Sequence, residues 1–398
     1  MWAGRHVILG VSGGIACYKS CHLARRLTEA GACVDVVLTR SAAEFVRPLT
    51  FEALTGRPVL TSLWEPDRAL AHVRLADAAD LVILAPATAQ LLARAAQGMA
   101  DDVLTALLLA RTAPVLAAPA MNDAMYANDA TGRNIATLAA RGWAFVGPEV
   151  GPLAEGPSDR PGRMSDPETI LAHAARLLGR GSRLAGRTVL VTAGPTREPI
   201  DPVRVVTNRS SGKMGYRLAE AAWARGADVV LVSGPVTLPP PIGVRLRSVE
   251  TTRDLETAVA EELPRADVLI MAAAPADFRP SLPSNAKRAR IDGALAIPME
   301  PTADILRATV AARPAGSVIV GFALETGDAI QKARAKLQSK ALDLIVVNDA
   351  FEPGAGFDVD TNRVAILDRE GNARVVPLGS KRQVAEAILD AVEERLGG

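Results

Sequence analysis

A glycine turn set between a buried strand and a long helix most constrains this chain of 398 residues: "RHVILGV", then "SGG", then "IACYKSCHLARRLTEAG", then a second strand, "ACVDVVLT". Strand, crossover helix and strand in that order make a βαβ unit, whose parallel strands need helices on both faces. Further buried-strand candidates, "DLVILAPA", "APVLAAPA" and "WAFVGP", alternate with Ala- and Leu-rich segments of helical spacing such as "TAQLLARAAQGMADDVLTALLLAR". The helix "DPETILAHAARLL" then runs into "GRGSRLAGR", and the pattern restarts with "TVLVTAG", the helix "GKMGYRLAEAAWARG" and the strand "ADVVLVSGP". The spacing predicts two α/β domains, 1–180 and 187–398, joined by a linker at 181–186. Strands "ADVLIMAAA", "GSVIVGFAL", "LDLIVVND" and "RVAILD" follow, and "SKRQVAEAILDAVEERL" is the closing helix. The longest irregular segment, "DFRPSLPSNAKRARIDG", is of the kind that often carries function.

Bulk properties narrow the function classes. With 49% hydrophobic and 22% charged residues the composition is that of an ordinary globular protein. A net charge of +1 gives no electrostatic footprint for nucleic acid or an anionic membrane, so any anionic ligand must be held by local groups. No apolar run approaches the roughly 20 residues that cross a bilayer, and the N-terminal run breaks at "SGG" without a signal-peptide layout. The cytoplasm is the expected location. The three cysteines, Cys17, Cys21 and Cys33, are too few and too clustered for a disulfide framework. Cys17 and Cys21 have helical spacing but no neighbouring ligand pair, so they read as small buried side chains.

Two stretches have the character of anion sites. In "GVSGGIA" the glycines let a backbone approach a phosphate at a helix start, but G-x-G-x-x-G is lacking, which favours a mononucleotide or flavin phosphate over a dinucleotide. "TNRSSGKMG" opens a second helix and resembles Walker A only superficially, because Thr207 and Met214 occupy its outer positions. In "LAPAT" and "APAMN", proline and small residues let a flat ring lie against strand ends. Asn122 there either points its carboxamide into the crevice or caps the helix "DAMYANDA". His72 stands near the start of a helix-like segment, and because a lone histidine is more often structural than catalytic, spacing alone gives the structural reading. Lys287, Lys336 and Lys340 are polyphosphate candidates, although an i, i+4 lysine pair is commonly a solvated face. The stretch "LAEGPSDRPGRM", Leu153 to Met164, is a loop by its turn residues, either a connector or a flap.

The order and spacing of "GVSGGIACYK", "DLVILAPATA", "PAMN", "GRM", "VTAGPTREPIDPVR", "TNRSSGKMG" and "GFALET" resemble the bifunctional phosphopantothenoylcysteine decarboxylase/phosphopantothenate–cysteine ligase family of coenzyme A biosynthesis. The resemblance covers essentially the whole chain. It implies an N-terminal flavodoxin-like, doubly wound parallel sheet that uses FMN to decarboxylate 4′-phospho-N-pantothenoylcysteine. It also implies a C-terminal Rossmann-like α/β domain that joins cysteine to 4′-phosphopantothenate with CTP. Ser12, Gly13, Gly14, Thr39, Pro86, Ala87 and Thr88 fall where family members hold FMN. His72 matches the catalytic histidine, which overrules the structural reading, and Asn122 matches the asparagine that grips the substrate carboxylate. FMN sites in this family lie between subunits, so a homo-oligomer built on trimers is implied.

For the ligase half, Asn208 matches the residue that stabilises the acyl-cytidylate and Asp277 the acid of the CTP site. Met271, Ala272, Ala273, Ala303, Asp304, Ile305, Leu306, Phe322, Lys336 and Lys340 match further nucleotide positions, and Mg²⁺ is expected on the triphosphate. Lys287 aligns with the first lysine of a K-x-K-K segment assigned to amide formation; here it reads "KRAR", with Ala289 and Arg290 in place of the other lysines. The flap departs from the family pattern too. Its proton-donating cysteine is Glu155 here, and a carboxylic acid near 4.3 donates a proton at pH 7 only if flap closure desolvates it. Two rivals stay open at this point: a ligase whose flavin half is altered or inactive, and a non-catalytic flavoprotein subunit.

Overall fold

In the computed structural model, which describes residues 1–64, 70–289, 295–325, 328–349 and 359–397, the apolar runs form two separate main sheets. One unit spans Met1–Gly179 and the other Arg180–Gly398. The first unit holds β1 (His6–Val11), β2 (Cys33–Leu38), β3 (Leu81–Ala87), β4 (Val115–Pro119) and β5 (Ala144–Phe145), all parallel, in the order β2-β1-β3-β4-β5. Every residue of β3 is buried, as a central strand covered on both faces requires. This is the flavodoxin-like doubly wound order, whose switch point lies between β1 and β3.

Local chemistry sets the breaks between elements. The Ala- and Leu-rich run is two helices, Ala89–Gln97 and Val103–Ala110. Gly98 ends the first at φ +72°, and Asp102 opens the second by a capping box with Thr105. "WAFVGP" yields only the two residues of β5, because Gly147, at φ +71°, and Pro148 turn the chain out of the sheet.

The second unit holds β6 (Thr188–Ala193), β7 (Asp228–Ser233), β8 (Arg245–Ser248), β9 (Val268–Met271), β10 (Val318–Glu325), β11 (Leu344–Asp349), β12 (Thr361–Asp368) and β13 (Ala373–Ser380). Their order is β8-β7-β6-β9-β10-β11-β12-β13; the first six run parallel in the Rossmann arrangement, and β12 and β13 add antiparallel at one edge. Two of these strands escape the sequence reading for physical reasons. β8, "RLRS", is a charged, half-exposed edge, and β13 carries Pro377 and is mostly exposed, as an edge strand tolerates. Helix Lys213–Ala224 packs tightly on β6: a Cβ on Gly215 would lie 2.5 Å from the Ala193 Cβ and 2.8 Å from the Thr192 carbonyl.

Residues 181–186, expected as a linker, pack on the second unit. Leu184 is fully buried, Ser182 Oγ donates to Glu393 Oε1 at 2.7 Å and Arg183 donates to the Glu393 carbonyl at 3.0 Å. The irregular segment contains a strand of its own, Phe278–Pro280, paired antiparallel with Met299–Pro301. Among the described residues no helix is long and apolar enough to cross a membrane.

Candidate active sites

At the switch point of the first unit the expected cofactor residues are interlocked. The Ser12 hydroxyl, 2% exposed, donates to the Pro86 carbonyl at 2.7 Å and accepts the Thr88 amide at 3.0 Å. Thr88 also caps helix Ala89–Gln97, its Oγ1 accepting from Leu91 N at 3.4 Å. The Thr39 amide donates to the Val11 carbonyl at 3.1 Å, and its hydroxyl accepts from Ala42 N at 3.2 Å. A Cβ on Gly13 would lie 2.3 Å from the Ser41 Cβ, whereas one on Gly14 would meet only the Thr88 methyl, at 3.5 Å. Packing therefore dictates glycine at 13, while Gly14 borders open space. Helix Cys17–Glu29 starts from Ala16, which has no side-chain oxygen to cap it. An uncapped helix start beside so small a turn fits the phosphate of a mononucleotide cofactor. Pro86 and Ala87, both buried, complete the wall at the end of β3.

Cys17 is fully buried, donates to the Ser12 carbonyl at 3.2 Å and has its thiol pKa pushed up by burial. Burial also raises Cys21. Among the described residues no group of three or more His, Cys, Asp or Glu is placed to hold a metal ion.

Asn122 caps its helix and keeps its amide nitrogen for a second partner. Its Oδ1 accepts Ala124 N at 2.9 Å, capping helix Asp123–Ala127, and its Nδ2 donates to Glu155 Oε1 at 3.2 Å. The loop bearing Glu155 folds against this helix start. Ser158 Oγ donates to Asp123 Oδ2 at 2.7 Å, Met121 N donates to the Gly162 carbonyl at 3.1 Å, and a Cβ on Gly162 would come 2.6 Å from the Met121 carbonyl. The loop thus packs on the end of β4. Its tip is open: Glu155 is exposed, so the desolvation expected of a carboxylic donor is not present in this geometry. Its base is firm. Lys19, 7% exposed, donates to the Met164 carbonyl and to Asp166 Oδ1, both at 2.7 Å, and Arg163 reaches the same Asp166 oxygen at 3.0 Å. The Lys19 hydrogen bond holds the Asp166 carboxyl below the usual range. His72 is the second residue of helix Ala71–Ala78, half-buried, and makes no hydrogen bond to Asn122 or Glu155 among the described residues.

In the second unit a cavity of about 670 Å³ lies at the carboxyl ends of β9 and β10. Met271, Ala272, Ala273, Asp277, Ala303, Asp304, Ile305, Leu306, Phe322, Lys336 and Lys340 all line it, and so does Asn208. Its size suits a nucleotide. The lysines are charge-balanced, Lys340 with Asp304 at 3.0 Å and Lys336 with Glu325. Helix Lys213–Ala224 opens at Gly212, φ +72°, with no side-chain cap, and its first turn lines the same cavity. Asn208 Nδ2 donates to the Pro275 carbonyl at 2.8 Å and the Ala274 carbonyl at 3.4 Å. Lys213, Asn348, Asn362 and Lys381 also line the cavity, unnoticed in the sequence. "SSGK" was the signal for Lys213; Asn362 and Lys381 come from β12 and the closing helix, where no pattern marked them.

Lys287 is exposed and is not among the lining residues. Its neighbour Arg288 is held through its backbone by the buried Asp201 and by Arg204. Burial opposes the Asp201 charge, but the N–H groups of Val203, Arg288 and Arg204 outweigh it and hold this carboxyl low. Ala289 is exposed, and Arg290 lies outside the described residues.

Residues 1–179 match the family "Flavoprotein", and residues 184–396 match the "DNA/pantothenate metabolism flavoprotein C-terminal domain". The chain is 46% identical over 398 residues to the coenzyme A biosynthesis bifunctional protein CoaBC of Vibrio cholerae serotype O1, covering 99% of each. To the CoaBC of Mycobacterium tuberculosis (strain H37Rv) it is 47% identical over 409 residues, 99% of this chain and 97% of the relative. A crystal structure of the C-terminal domain of a coenzyme A biosynthesis bifunctional protein CoaBC superposes with a TM-score of 0.46 at 39% identity, covering 54% of this chain and 97% of that one. With both halves matched in order and full-length relatives this similar, the chain belongs to the CoaBC family of coenzyme A biosynthesis bifunctional proteins.

Proposed function

We propose that the chain carries two successive reactions of coenzyme A biosynthesis, one per unit. The second unit joins cysteine to 4′-phosphopantothenate with CTP and Mg²⁺, and the first, holding FMN, decarboxylates the resulting 4′-phospho-N-pantothenoylcysteine to 4′-phosphopantetheine. The observation that carries the reading is the single cavity around which Asp277, Phe322, Lys336, Lys340 and Asn208 converge from separate segments. A carboxylate is a poor acylating agent at neutral pH, so it first attacks the α-phosphorus of CTP. An acyl-cytidylate forms and pyrophosphate leaves; the cysteine amine then displaces CMP. Lys336 and Lys340 take the polyphosphate, with Mg²⁺ arriving on its oxygens. Asn208 exchanges one of its carbonyl partners for an oxygen of the acyl-cytidylate. Lys287 serves the amide-forming step.

In the first unit Ser12, Gly13, Gly14, Thr39, Pro86, Ala87 and Thr88 hold the flavin. When bound, FMN supplies the reversible two-electron chemistry that gives a carboxylate on saturated carbon an electron sink. Asn122 grips the substrate carboxylate through its Nδ2, His72 acts as base or orients the thiol, and Glu155 delivers a proton once the closed flap shields it. Apolar side chains exposed just after the glycine turn, Ile15 and Tyr18, support assembly of this unit with copies of itself. The test is a coupled assay of the purified protein with 4′-phosphopantothenate, CTP, Mg²⁺ and cysteine, read by mass spectrometry. CMP and 4′-phosphopantetheine should accumulate together; no CMP refutes the ligase reading, and CMP without CO₂ refutes the decarboxylase reading.

A further inference from the structure

Thr196 and Glu198 stand in the "AGPTREPIDPVR" stretch just after β6, are buried, and have no role in either reaction above. Thr196 Oγ1 lies 2.9 Å from Thr252 Oγ1, at the start of helix Thr252–Glu262, and both hydroxyls reach the backbone of one residue. Ala276 N donates to Thr196 Oγ1 at 2.8 Å, and Thr252 Oγ1 donates to the Ala276 carbonyl at 3.4 Å. A hydroxyl has a single proton to give. Thr252 gives its proton to that carbonyl, so Thr196 is the donor between the two threonines. The bonds close a ring that runs from the Ala276 N–H through Thr196 and Thr252 to the Ala276 carbonyl. Thr302 Oγ1 gives the same carbonyl a shorter bond, 2.6 Å, and Thr302 N donates to the Asp277 carbonyl at 2.9 Å. Glu198 seats the helix start, its Oε1 accepting Thr252 N at 2.7 Å.

Ala276, Asp277 and Thr302 line the nucleotide cavity, whereas Thr196, Glu198 and Thr252 stand behind that lining. Asp277 is exposed, and among the described residues no side-chain hydrogen bond or ion pair holds its carboxylate, so its backbone decides where the carboxylate stands. We propose that Thr196 and Thr252 are positioning residues for Asp277: by closing a hydroxyl ring on both polar groups of Ala276 they set where the Asp277 carboxylate meets CTP. The inference rests on the reading of Asp277 as the acid of the CTP site. The rest of this wall is held less firmly. Asn208 Nδ2, which binds the Ala274 and Pro275 carbonyls, is the group that gives up a partner to the acyl-cytidylate. A buried ring with every proton placed is rigid, and it keeps Asp277 in place while Asn208 exchanges partners. Misplacement of a binding group by about 1 Å costs roughly 100-fold in rate.

The test compares wild type, Thr196→Val, Thr196→Ser, Asp277→Ala and the Thr196→Val, Asp277→Ala double variant in the full chain. Pyrophosphate formation is followed with CTP and 4′-phosphopantothenate varied in turn, and the binding of CTP with Mg²⁺ is measured by calorimetry. Valine keeps the shape of threonine but leaves the buried Ala276 N–H without its acceptor. Thr196→Val should raise the KM for CTP about 10-fold, weaken CTP binding by a similar factor and leave the KM for 4′-phosphopantothenate within about twofold. Thr196→Ser retains the hydroxyl and should restore wild-type values, and Thr196→Val should add nothing to Asp277→Ala. Hydrogen exchange at the Ala276 amide should quicken in Thr196→Val. Thr252→Val breaks the same ring from the other side and should show the same pattern if Thr196→Val does not fold. A lower denaturation midpoint with an unchanged KM for CTP would mark an ordinary stabilising network and overturn the proposal, as would an equal rise in both KM values or losses that multiply in the double variant. A normal KM for CTP in Asp277→Ala would instead overturn the reading of Asp277, and the role of the ring with it.

Discussion

The two loops that bear the residues proposed for proton delivery and amide formation are fastened in opposite ways. At the flap tip, one bond of 3.2 Å joins the exposed Glu155 to the half-buried Asn122. At the Lys287 loop, a carboxylate with no exposed surface takes four donors, and its partner arginine takes the opposing carbonyl. An exposed side-chain bond exchanges readily with water or a ligand, whereas a fully satisfied buried network rigidifies what it holds. A flap that admits substrate needs a tip that lets go, and its firmness sits at its base, in Lys19, Met164 and Asp166. A loop that presents a lysine needs the reverse, a fixed backbone with the motion left to the side chain.

The largest effects should come from changes that destroy this difference. Glu155→Ala should slow formation of 4′-phosphopantetheine by about 100-fold or more, the scale of a lost general acid, with CMP release unchanged. Product formation at the normal rate would mean that another group or water donates. Gly162→Val forces the flap off the Met121 carbonyl, and CO₂ release should fall about 100-fold in the half-assay supplied with 4′-phospho-N-pantothenoylcysteine. An unchanged rate would show that the flap's seat is irrelevant.

Next in size is the flap base. Lys19→Met keeps the length but loses both bonds, and chemical denaturation should show a loss of about 1–3 kcal/mol in the first unit. No loss would mean the base is held elsewhere. A smaller effect follows from pH. The Asp166 carboxyl is lowered in the folded chain, chiefly by Lys19, so its contribution is present above the ordinary aspartate value near 3.9 and fades as the pH falls through the lowered value. Below about pH 4 the wild type should therefore lose stability more steeply than Lys19→Met, and parallel curves would contradict the pairing. Smallest is the stability cost of Glu155→Ala, expected within about 0.5 kcal/mol because the residue is exposed and has one weak bond.

Much of the architecture was legible because most strands of both sheets are buried and parallel, and their continuous apolar runs stand out between helices. The failures sit at edges: β8 is half-exposed and β13 mostly exposed, so no alternation marked them. Asn362 and Lys381 escaped for another reason: both are buried and reach the cavity from β12 and the closing helix, where no local motif marks them. Asn122 illustrates a choice that spacing leaves open: the structure shows the cap, which uses its oxygen, and leaves its nitrogen for Glu155. Asp201 stood inside a quoted motif, but its bond to Arg288 spans 87 positions and no local pattern carries it.

The most direct test of two separate sites follows carboxyl-labelled cysteine through wild type, Asn122→Ala and Asn208→Ala in the presence of 4′-phosphopantothenate, CTP and Mg²⁺. Asn122→Ala should release CMP at the wild-type rate and no labelled CO₂. Asn208→Ala should lose both, and CO₂ release should return when 4′-phospho-N-pantothenoylcysteine is supplied. A fall in CMP release in Asn122→Ala would contradict the assignment of one reaction to each unit.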